Sequence, residues 1–345
     1  MLVELLSKAV EAIEVIGAGN PRFEAELLLS HALDRPRTFL FTHPEYHPTA
    51  LEESRFVALL DRRLSSEPLQ YVLGTAAFRH LTLRVHRGVL IPRSETEVLV
   101  DRAWEALQRW AERRLGMGGP QPSDAPASGA IYRGSGSSGK ERPWVIDVGV
   151  GCGSILLALM FEAIRGRASR NQSPAVNGSG FNVSQIPKVP GVNPWFRPLG
   201  IDIAAVPLQL TAENAEANGL SGPDLIVSDL LSAVDPAAPV AAIVSNPPYV
   251  STSDMQDLPA EIREYEPHEA LHGGADGLDA IRELLDQALV FIHRGALLCF
   301  EIGADQERAI EKELQRRNLQ RCSRILPDLT GRPRVVLVEP WGASA

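Results

Sequence analysis

The sequence predicts an α/β protein with a doubly wound, largely parallel sheet. Short apolar runs alternate with helical patterns over residues 144–317, which is the order that parallel βαβ units require. The first apolar run leads directly into a glycine-rich turn. Two strand patterns, near 324–326 and 334–338, close the chain without a helix between them. This pair predicts an antiparallel hairpin at one edge of the sheet.

Length, charge and cysteine usage limit the class of protein. At 345 residues the chain is long enough for two domains. Its net charge of −9 argues against a dedicated nucleic-acid-binding protein, although a local basic patch is compatible with that charge. Cys152, Cys299 and Cys322 lie far apart without metal-ligand spacing, so we expect reduced thiols, no bound metal and a cytoplasmic location. No apolar run approaches the roughly 18 residues that span a bilayer, and we expect no membrane association.

Residues 1–74 predict a small helical bundle. Apolar residues recur at helical spacing from Leu2 to Ile16. Glycines follow this run, and Pro21 then opens a second helix at the position that proline favours. A third helix is expected over residues 50–64. The bundle carries no evident chemistry of its own, and we expect it to recognise the substrate.

A connector, residues 75–115, joins the bundle to the α/β domain. Apolar and polar residues alternate in its first part, between Phe78 and Ile91, as they do in a β-hairpin. Ser94 and Glu97 then have the spacing of a capping box. This pair predicts the start of a long amphipathic helix.

The α/β domain, residues 116–345, contains two stretches of unusual composition. Residues 116–141 are rich in Gly, Ser and Pro and poor in apolar residues, so we expect a disordered loop. Residues 166–197 are rich in Pro, Asn and Gly, and we expect an irregular loop there too. Both stretches are interpreted as insertions into the α/β domain, with the first helix of the domain ending near Phe161.

The first functional candidate is Asn246-Pro247-Pro248-Tyr249, which follows a buried strand pattern over 240–245. Proline cannot donate a hydrogen bond to a sheet, so the two prolines end the strand at the edge where open α/β folds bind ligands. The Asn246 side-chain oxygen and the Pro247 carbonyl can accept both hydrogens of a planar NH2 group, while Tyr249 lies against its flat face. The simpler alternative is a strand that ends in a Pro-Pro turn.

The second candidate is the turn from Asp147 to Gly153, which places three glycines where a backbone can approach a ligand. Dinucleotide-dependent enzymes use similar turns, so the pattern alone leaves the cofactor open. Asp202, at the end of the second strand pattern, can hold ribose hydroxyls or simply begin the next helix. Asp229, at the end of the third, can meet an adenine amino group or cap a turn. Together with the Asn246 turn on the fourth strand, Asp229 favours S-adenosylmethionine over a dinucleotide.

Taken together, the two turns resemble those of the HemK/PrmC family, the peptide-chain release factor glutamine N5-methyltransferases. Three further stretches carry the resemblance: Leu-Ile-Pro-Arg-Ser-Glu-Thr-Glu at 90–97, Glu-Pro-His-Glu-Ala-Leu-His-Gly-Gly-Ala-Asp-Gly at 266–277, and Asp-Leu-Thr-Gly-Arg-Pro-Arg at 328–334. The resemblance covers nearly the whole chain except the two inserted stretches. Val150 and Cys152 replace the Thr and Ser more usual in the family's glycine turn. We expect neither change to abolish binding, because backbone atoms should line that turn.

The resemblance implies the class I S-adenosylmethionine-dependent methyltransferase fold, with a mostly parallel seven-stranded sheet. It also implies transfer of a methyl group from S-adenosylmethionine to the side-chain amide nitrogen, N5, of the glutamine in the Gly-Gly-Gln motif of release factors. The partner would then be a release factor, with no direct contact to nucleic acid. We expect the protein to act as a monomer.

The same resemblance assigns roles to individual residues. The cofactor would be bound by Asp147, Gly149, Gly151, Asp202, Asp229, Leu230 and Asn246. The substrate glutamine would be received by Asn246, Pro247, Pro248 and Tyr249, with Phe78 and Arg93 at the border of the pocket. Of these, Asn246, Pro247 and Tyr249 would act in catalysis.

Other functions fit the same residues. An N-methyltransferase acting on an exocyclic amine of a nucleic-acid base must also hold a planar NH2 group. Such an enzyme should, however, carry a basic domain that binds nucleic acid. A non-catalytic protein that senses the cofactor is a rival of another class. A nicotinamide-dependent dehydrogenase is the third alternative, because its glycine turn is similar.

Overall fold

The computed structural model describes residues 2–17, 19–116, 142–171 and 194–340. They divide into two compact units. The first comprises Met1–Ala76, Val85–Ile91 and Gln256–Pro267, and the second comprises Ala77–Arg84, Pro92–Met255 and His268–Ala345. Over the ranges described, none of the helices combines the length and apolar character needed to cross a membrane.

The first unit is helical. Its helices are α1 (Leu2–Val15), α2 (Pro21–Ala32), α3 (Arg37–Thr42), α4 (Ala50–Leu64), α5 (Leu69–Leu73) and, from later in the chain, α9 (Ala260–Arg263). The positions expected for α1, α2 and α4 are confirmed. Asn20 caps α2 by accepting a hydrogen bond from the backbone of Phe23, and Pro21 occupies the first turn. The short helices α3 and α5 were not predicted, because six and five residues are too few to show a helical period.

The segment after the Asn246 turn belongs in part to this first unit. Arg63 on α4 is 5% exposed, and its guanidinium pairs with Glu24 at 2.7 Å and with Glu261 on α9 at 3.3 Å. The hydroxyl of Tyr265 donates to the carbonyl of Ser65 at 2.6 Å. Residues 256–267 are therefore held against the helical bundle by hydrogen bonds and by a nearly buried ion pair.

The connector contains the expected hairpin and helix, but the helix begins differently. Strands β1 (Thr75–Phe78) and β2 (Leu81–Arg84) form a two-stranded sheet, and α6 spans Thr96–Leu115. The predicted capping box of Ser94 and Glu97 is wrong. The N-cap residue is Glu95, whose side chain makes no capping hydrogen bond. Glu97 instead accepts the backbone N–H of Arg79 at 3.0 Å, so a contact distant in sequence replaces the local one.

The second unit is built on a seven-stranded sheet with the order β5-β4-β3-β6-β7-β9-β8. Its strands are β3 (Trp144–Val148), β4 (Arg197–Asp202), β5 (Asp224–Val227), β6 (Val240–Ser245), β7 (Leu297–Glu301), β8 (Ser323–Pro327) and β9 (Pro333–Val338). The pairs from β5 through β7 are parallel, whereas β9 is antiparallel to β7 and β8. The mostly parallel sheet and the closing hairpin are thus confirmed.

The helices that connect these strands are α7 (Ser154–Asn171), α8 (Ala205–Ala217), α10 (Asp279–His293) and α11 (Glu307–Arg316). Helix α7 continues ten residues beyond the predicted end at Phe161, and β4 already begins at Arg197. The predicted start of the loop near residue 166 is therefore wrong, whereas its predicted end near residue 197 lies at the first residue of β4. Glu162 is nearly buried and pairs with Arg79 at 3.1 Å, which favours continuation of the helix past Phe161.

The rest of both predicted insertions lies outside the described residues. For 116–141 this holds from residue 117 onward, and for 166–197 it holds for residues 172–193.

The strand order places a switch point at β3. Consecutive strands run from β3 to β4 and β5 on one side and from β6 to β7 on the other. In the parallel register Asp147 pairs with Gly200 on one side and with Val244 on the other. The carboxyl ends of β3, β4 and β6 therefore meet at one edge, which is where open α/β sheets bind their ligands.

Candidate active site

The glycine turn after β3 is shaped by its backbone. The N–H groups of Gly149 and Val150 both donate to the carbonyl of Ile201, each at 2.8 Å. Gly149 and Gly151 have φ angles of +73° and +57°, in the left-handed region that residues with a Cβ rarely adopt. The side chain of Val150 is 3% exposed and packs into the protein. Val150 therefore contributes to the core, and contact of the turn's backbone with a cofactor stays a prediction.

Helix α8 holds the same turn from the other side. The Thr211 hydroxyl donates to the carbonyl of Gly151 at 2.9 Å, and the Asn214 amide donates to the carbonyl of Cys152 at 2.9 Å. Burial raises the pKa of the Cys152 thiol to about 12, so this thiol stays protonated. The cysteine in the turn is a packing residue, not a nucleophile.

Asp147 is fully buried at the start of the turn. Its Oδ2 atom accepts the backbone N–H of Leu156 at 3.0 Å, whereas its Oδ1 atom has no hydrogen-bond partner among the described residues. Burial raises the pKa of Asp147 well above its ordinary value; the hydrogen bond from Leu156 opposes this rise, and the charge of Asp202 adds to it. A buried carboxylate oxygen without a partner is costly, and it suits a ligand that brings a donor or a positive charge.

Asp202 ends β4 beside the turn. Its two carboxylate oxygens accept backbone N–H groups, Oδ1 from Ala204 at 3.1 Å and Oδ2 from Gly151 at 3.2 Å. Burial raises the pKa of Asp202, and these hydrogen bonds oppose the rise. The carboxylate thus supports both the start of α8 and the glycine turn. Each oxygen keeps a further lone pair for hydroxyl groups of a ligand.

The loop after β5 continues the same edge. The backbone N–H of Ser228 donates to the carbonyl of Asp202 at 3.0 Å, which joins this loop to the end of β4. Asp229 follows as an exposed residue, and Leu230 is half-buried. Leu230 has a φ of +49°, an uncommon value for a non-glycine residue and one that recurs at ligand sites. Ile203, next to Asp202, leaves 68% of its side chain exposed.

Asn246 lies on the other side of β3 and belongs to a hydrogen-bonded chain of side chains. Its Nδ2 atom donates to the Thr96 hydroxyl at 3.1 Å, and that hydroxyl donates to Oε2 of Glu301 at 2.7 Å. The Tyr249 hydroxyl donates to Oε1 of the same carboxylate at 3.0 Å. Thr96 and Glu301 are both buried. The side chains of Asn246 and Tyr249 therefore converge on one buried acid.

The charges around this chain set its protonation. Burial raises the pKa of Glu301, while the hydrogen bonds from Thr96 and Tyr249 and the charge of Arg334 oppose the rise. Burial also raises the pKa of Tyr249, and the negative charge of Glu301 adds to that rise. Arg93 lies close enough to lower the pKa of Tyr249 slightly. The tyrosine is therefore a neutral hydrogen-bond donor and not a base.

The backbone of the Asn246 turn is held by Gln306. Its Nε2 atom donates to the carbonyls of Tyr249 at 2.9 Å and Gly277 at 3.2 Å, and its Oε1 atom accepts from Gly303 at 2.8 Å. Gly277, at φ +75°, approaches so closely that a Cβ there would lie 2.3 Å from the Tyr249 carbonyl oxygen. The loop that follows the turn thus folds back against it without space for a side chain.

Most of the residues that sequence reasoning selected lie at this edge of the sheet, namely Asp147, Gly149, Gly151, Asp202, Asp229, Leu230, Asn246, Pro247, Pro248 and Tyr249. Phe78 is the last residue of β1 in the connector, and like Asp147 it is buried, at 1% exposed. Thr96, Glu301 and Gln306 were not selected. Thr96 lies inside the 90–97 stretch already singled out, and Glu301 is a lone acid at the end of an apolar strand.

Comparison with known proteins identifies relatives of this chain. Residues 4–74 match the family model described as the PrmC N-terminal domain. The chain is 32% identical over 339 residues to the "Release factor glutamine methyltransferase" of Moorella thermoacetica, and the match covers 97% of each chain. It is 30% identical over 340 residues to the protein of the same name from Koribacter versatilis, again over 97% of each chain.

Among solved structures, the chain is similar to a ribosomal protein L11 methylase from Lactobacillus delbrueckii subsp. bulgaricus. The two share 15% identity with a TM-score of 0.37, over 77% of this chain and 97% of the methylase chain.

The close approach at Gly277 yields a prediction about stability. Gly277→Ala should lower the free energy of unfolding by about 2 kcal/mol or more, because the new Cβ meets a backbone oxygen and the φ is left-handed. Gly222→Ala is the matched control, because its Cβ has nothing within 4 Å. We expect that control to stay within about 0.5 kcal/mol of the parent protein. Urea-induced unfolding, followed by circular dichroism, measures both; equal midpoints for the two variants would contradict the described geometry.

Proposed function

The chain belongs to the release factor glutamine methyltransferases, and from this membership we propose that it methylates N5 of the glutamine in the Gly-Gly-Gln motif of a peptide-chain release factor. The observation that supports this reaction is the attachment of the Asn246 amide. Its nitrogen is engaged by Thr96, and its oxygen accepts no hydrogen bond among the described residues. An amide oxygen in that state suits a substrate that brings an N–H group.

The cofactor of the family is S-adenosylmethionine, and the residues along the sheet edge fit it. The unpartnered Oδ1 of Asp147 suits a cationic amino group. Asp202 keeps lone pairs for ribose hydroxyls, and the exposed Ile203 offers apolar surface. We assign cofactor binding to Asp147, Gly149, Gly151, Asp202, Asp229, Leu230 and Asn246. When bound, the cofactor supplies a methyl group activated by a sulfonium.

The hydrogen-bond acceptors of the Asn246 turn can compensate for the low nucleophilicity of the substrate's amide nitrogen. An amide nitrogen reacts poorly because its lone pair is delocalised into the carbonyl. We assign the two N–H bonds of the substrate to Asn246 Oδ1 and the Pro247 carbonyl, with Pro248 and Tyr249 beside the flat group. Acceptors that fix both bonds orient the nitrogen, and they attract the positive charge that grows on it during transfer. Stabilisation is then greatest in the transition state.

No side chain of the turn is assigned as a base before transfer. Burial raises the pKa of Tyr249, which keeps its proton, and the Glu301 carboxylate already accepts two hydroxyl hydrogens. The extra proton on the methylated nitrogen can therefore leave after transfer. Pro247 and Tyr249 contribute by positioning the amide, and Asn246 carries the main catalytic contact.

The proposal includes the remaining assignments made from the sequence. We infer that residues 1–74 form the domain that recognises the release factor and that residues 116–345 form the methyltransferase domain. Residues 75–115 connect these two domains. Arg93, which lies near Tyr249, and Phe78 stay predicted neighbours of the glutamine pocket. We also infer that the enzyme acts in the cytoplasm as a monomer and without contact to nucleic acid.

Mass spectrometry tests the proposed reaction directly. We expect one methyl group on the Gly-Gly-Gln glutamine after incubation of a release factor with the protein and S-adenosylmethionine. A release factor with that glutamine replaced by alanine is the control and should gain none. Parallel incubations of the protein and labelled cofactor with DNA and with RNA test whether nucleic acid is the substrate instead. Methyl transfer to nucleic acid alone, or to neither substrate, would overturn the proposal.

Asn246→Ala tests the catalytic contact. Loss of one preorganised acceptor should lower kcat by about 100-fold or more, while the affinity for the cofactor changes by only a few-fold. Single-turnover kinetics measure the first quantity and titration calorimetry with S-adenosylmethionine the second. Equal losses in both would reduce Asn246 to a cofactor-binding residue.

Asp147→Asn should separate stability from cofactor binding. Because burial raises the pKa of Asp147 in the folded chain, its ionisation opposes folding as the pH rises through that pKa. The neutral amide removes this opposition, so the cofactor-free variant should melt at a higher temperature at neutral pH. It should also bind S-adenosylmethionine about 10-fold or more weakly, because a charge-assisted contact is lost. Thermal melting with and without cofactor measures both effects, and an unstable variant would refute the electrostatic argument.

A further inference from the structure

The direction of each hydrogen bond around Thr96 is determined by proton counting. A threonine hydroxyl has one hydrogen to donate and can accept through its lone pairs. That hydrogen lies on the 2.7 Å bond to Glu301 Oε2, and Oε1 accepts the Tyr249 hydroxyl hydrogen, so both oxygens of this side chain act as acceptors. Toward Asn246, 3.1 Å away, the hydroxyl is therefore an acceptor. The Asn246 amide must turn its NH2 group to Thr96 and its oxygen away from Thr96.

The positions of Glu301 and Thr96 are fixed by the fold. Glu301 is the last residue of β7, where it pairs with Val335 of β9, and its neighbour Phe300 pairs with Ser245 of β6. Thr96 is the first residue of α6 and is 2% exposed. Neither side chain is open to water that could offer a different partner. The carboxylate also takes the Tyr249 hydroxyl hydrogen, so one acid orients two side chains of the turn.

We propose that Glu301 and Thr96 are positioning residues that fix the Asn246 amide with its oxygen toward the substrate, and that this orientation selects a carboxamide over a carboxylate. The inference rests on the proposed function. A glutamine side chain donates two N–H bonds and satisfies the Asn246 oxygen, which accepts no hydrogen bond among the described residues. A glutamate carboxylate has no hydrogen to give, so it leaves two acceptors facing each other. Discrimination through unpaired polar groups is strong in enzyme sites.

Two charged groups and two hydroxyl groups act on Glu301. Arg334 on β9 favours the ionised carboxylate, and Glu95 at the start of α6 opposes it. Tyr249 and Thr96 donate to the carboxylate. If Glu301 gains a proton, it can donate a hydrogen bond to the Thr96 hydroxyl. The hydroxyl hydrogen of Thr96 then points to Asn246, and the Asn246 amide rotates so that its oxygen faces Thr96. Activity should therefore fall on the acid side of the profile of kcat against pH.

A pair of variants at Thr96 tests the inference. Thr96→Val keeps the shape of the side chain but removes the hydroxyl, and it should lower kcat about 10- to 100-fold with little change in the affinity for cofactor. Thr96→Ser keeps the hydroxyl and should restore most of that loss. Both variants are compared by thermal melting, so that a loss of folded protein is recognised. If Thr96→Val keeps the parent kcat while the parent enzyme methylates glutamine, the positioning role is overturned and the proposed function stands.

The second readout measures specificity, which a merely structural role would not change. A release factor with glutamate in place of the Gly-Gly-Gln glutamine is used as a competitive inhibitor. We expect it to inhibit the parent enzyme weakly, and to bind about tenfold better relative to the glutamine form in Thr96→Val and in Glu301→Gln. In Glu301→Gln, the decrease of kcat at acid pH should also be absent. An unchanged inhibition ratio in both variants would show that Glu301 and Thr96 do not set the amide's orientation.

Discussion

The parallel pairing of β3 with its two neighbours is the constraint on which the site depends. Asp147 pairs with Gly200 on β4 and with Val244 on β6. Because parallel strands end at the same edge, this register brings the glycine turn, Asp202 and Asn246 together although they are far apart in the chain. A shift of one residue between β3 and β6 would send Asp147 to the opposite face and separate the two halves of the site.

Two buried acids at this edge have opposite hydrogen-bonding states. Asp147 has one oxygen without a partner among the described residues, and its burial raises its pKa. Glu301 is equally buried, but each of its oxygens accepts a hydroxyl hydrogen. The fold thus leaves Oδ1 of Asp147 without a partner among the described residues, whereas both oxygens of Glu301 have partners.

Much of the fold could be predicted from sequence because its strands are buried. The apolar run of β6 was located at its observed ends, since a strand covered on both faces carries a continuous apolar pattern. The start of α6 could not be predicted in the same way. There Glu97 accepts the backbone of Arg79 instead of capping its own helix, and no local pattern reports such a contact.

The same reasoning explains why the sequence singles out Asn246 and not Glu301, and why position 301 carries an acid. Asn246 stands in a proline-bounded turn, but Glu301 meets Thr96 from 205 residues away. Burying a carboxylate is costly, and a glutamine of equal size would avoid the charge. Yet a glutamine offers one acceptor end and one donor end, so it cannot take hydrogens from both Thr96 and Tyr249. Only a carboxylate accepts at both ends, and the direction of the Asn246 amide follows from that property.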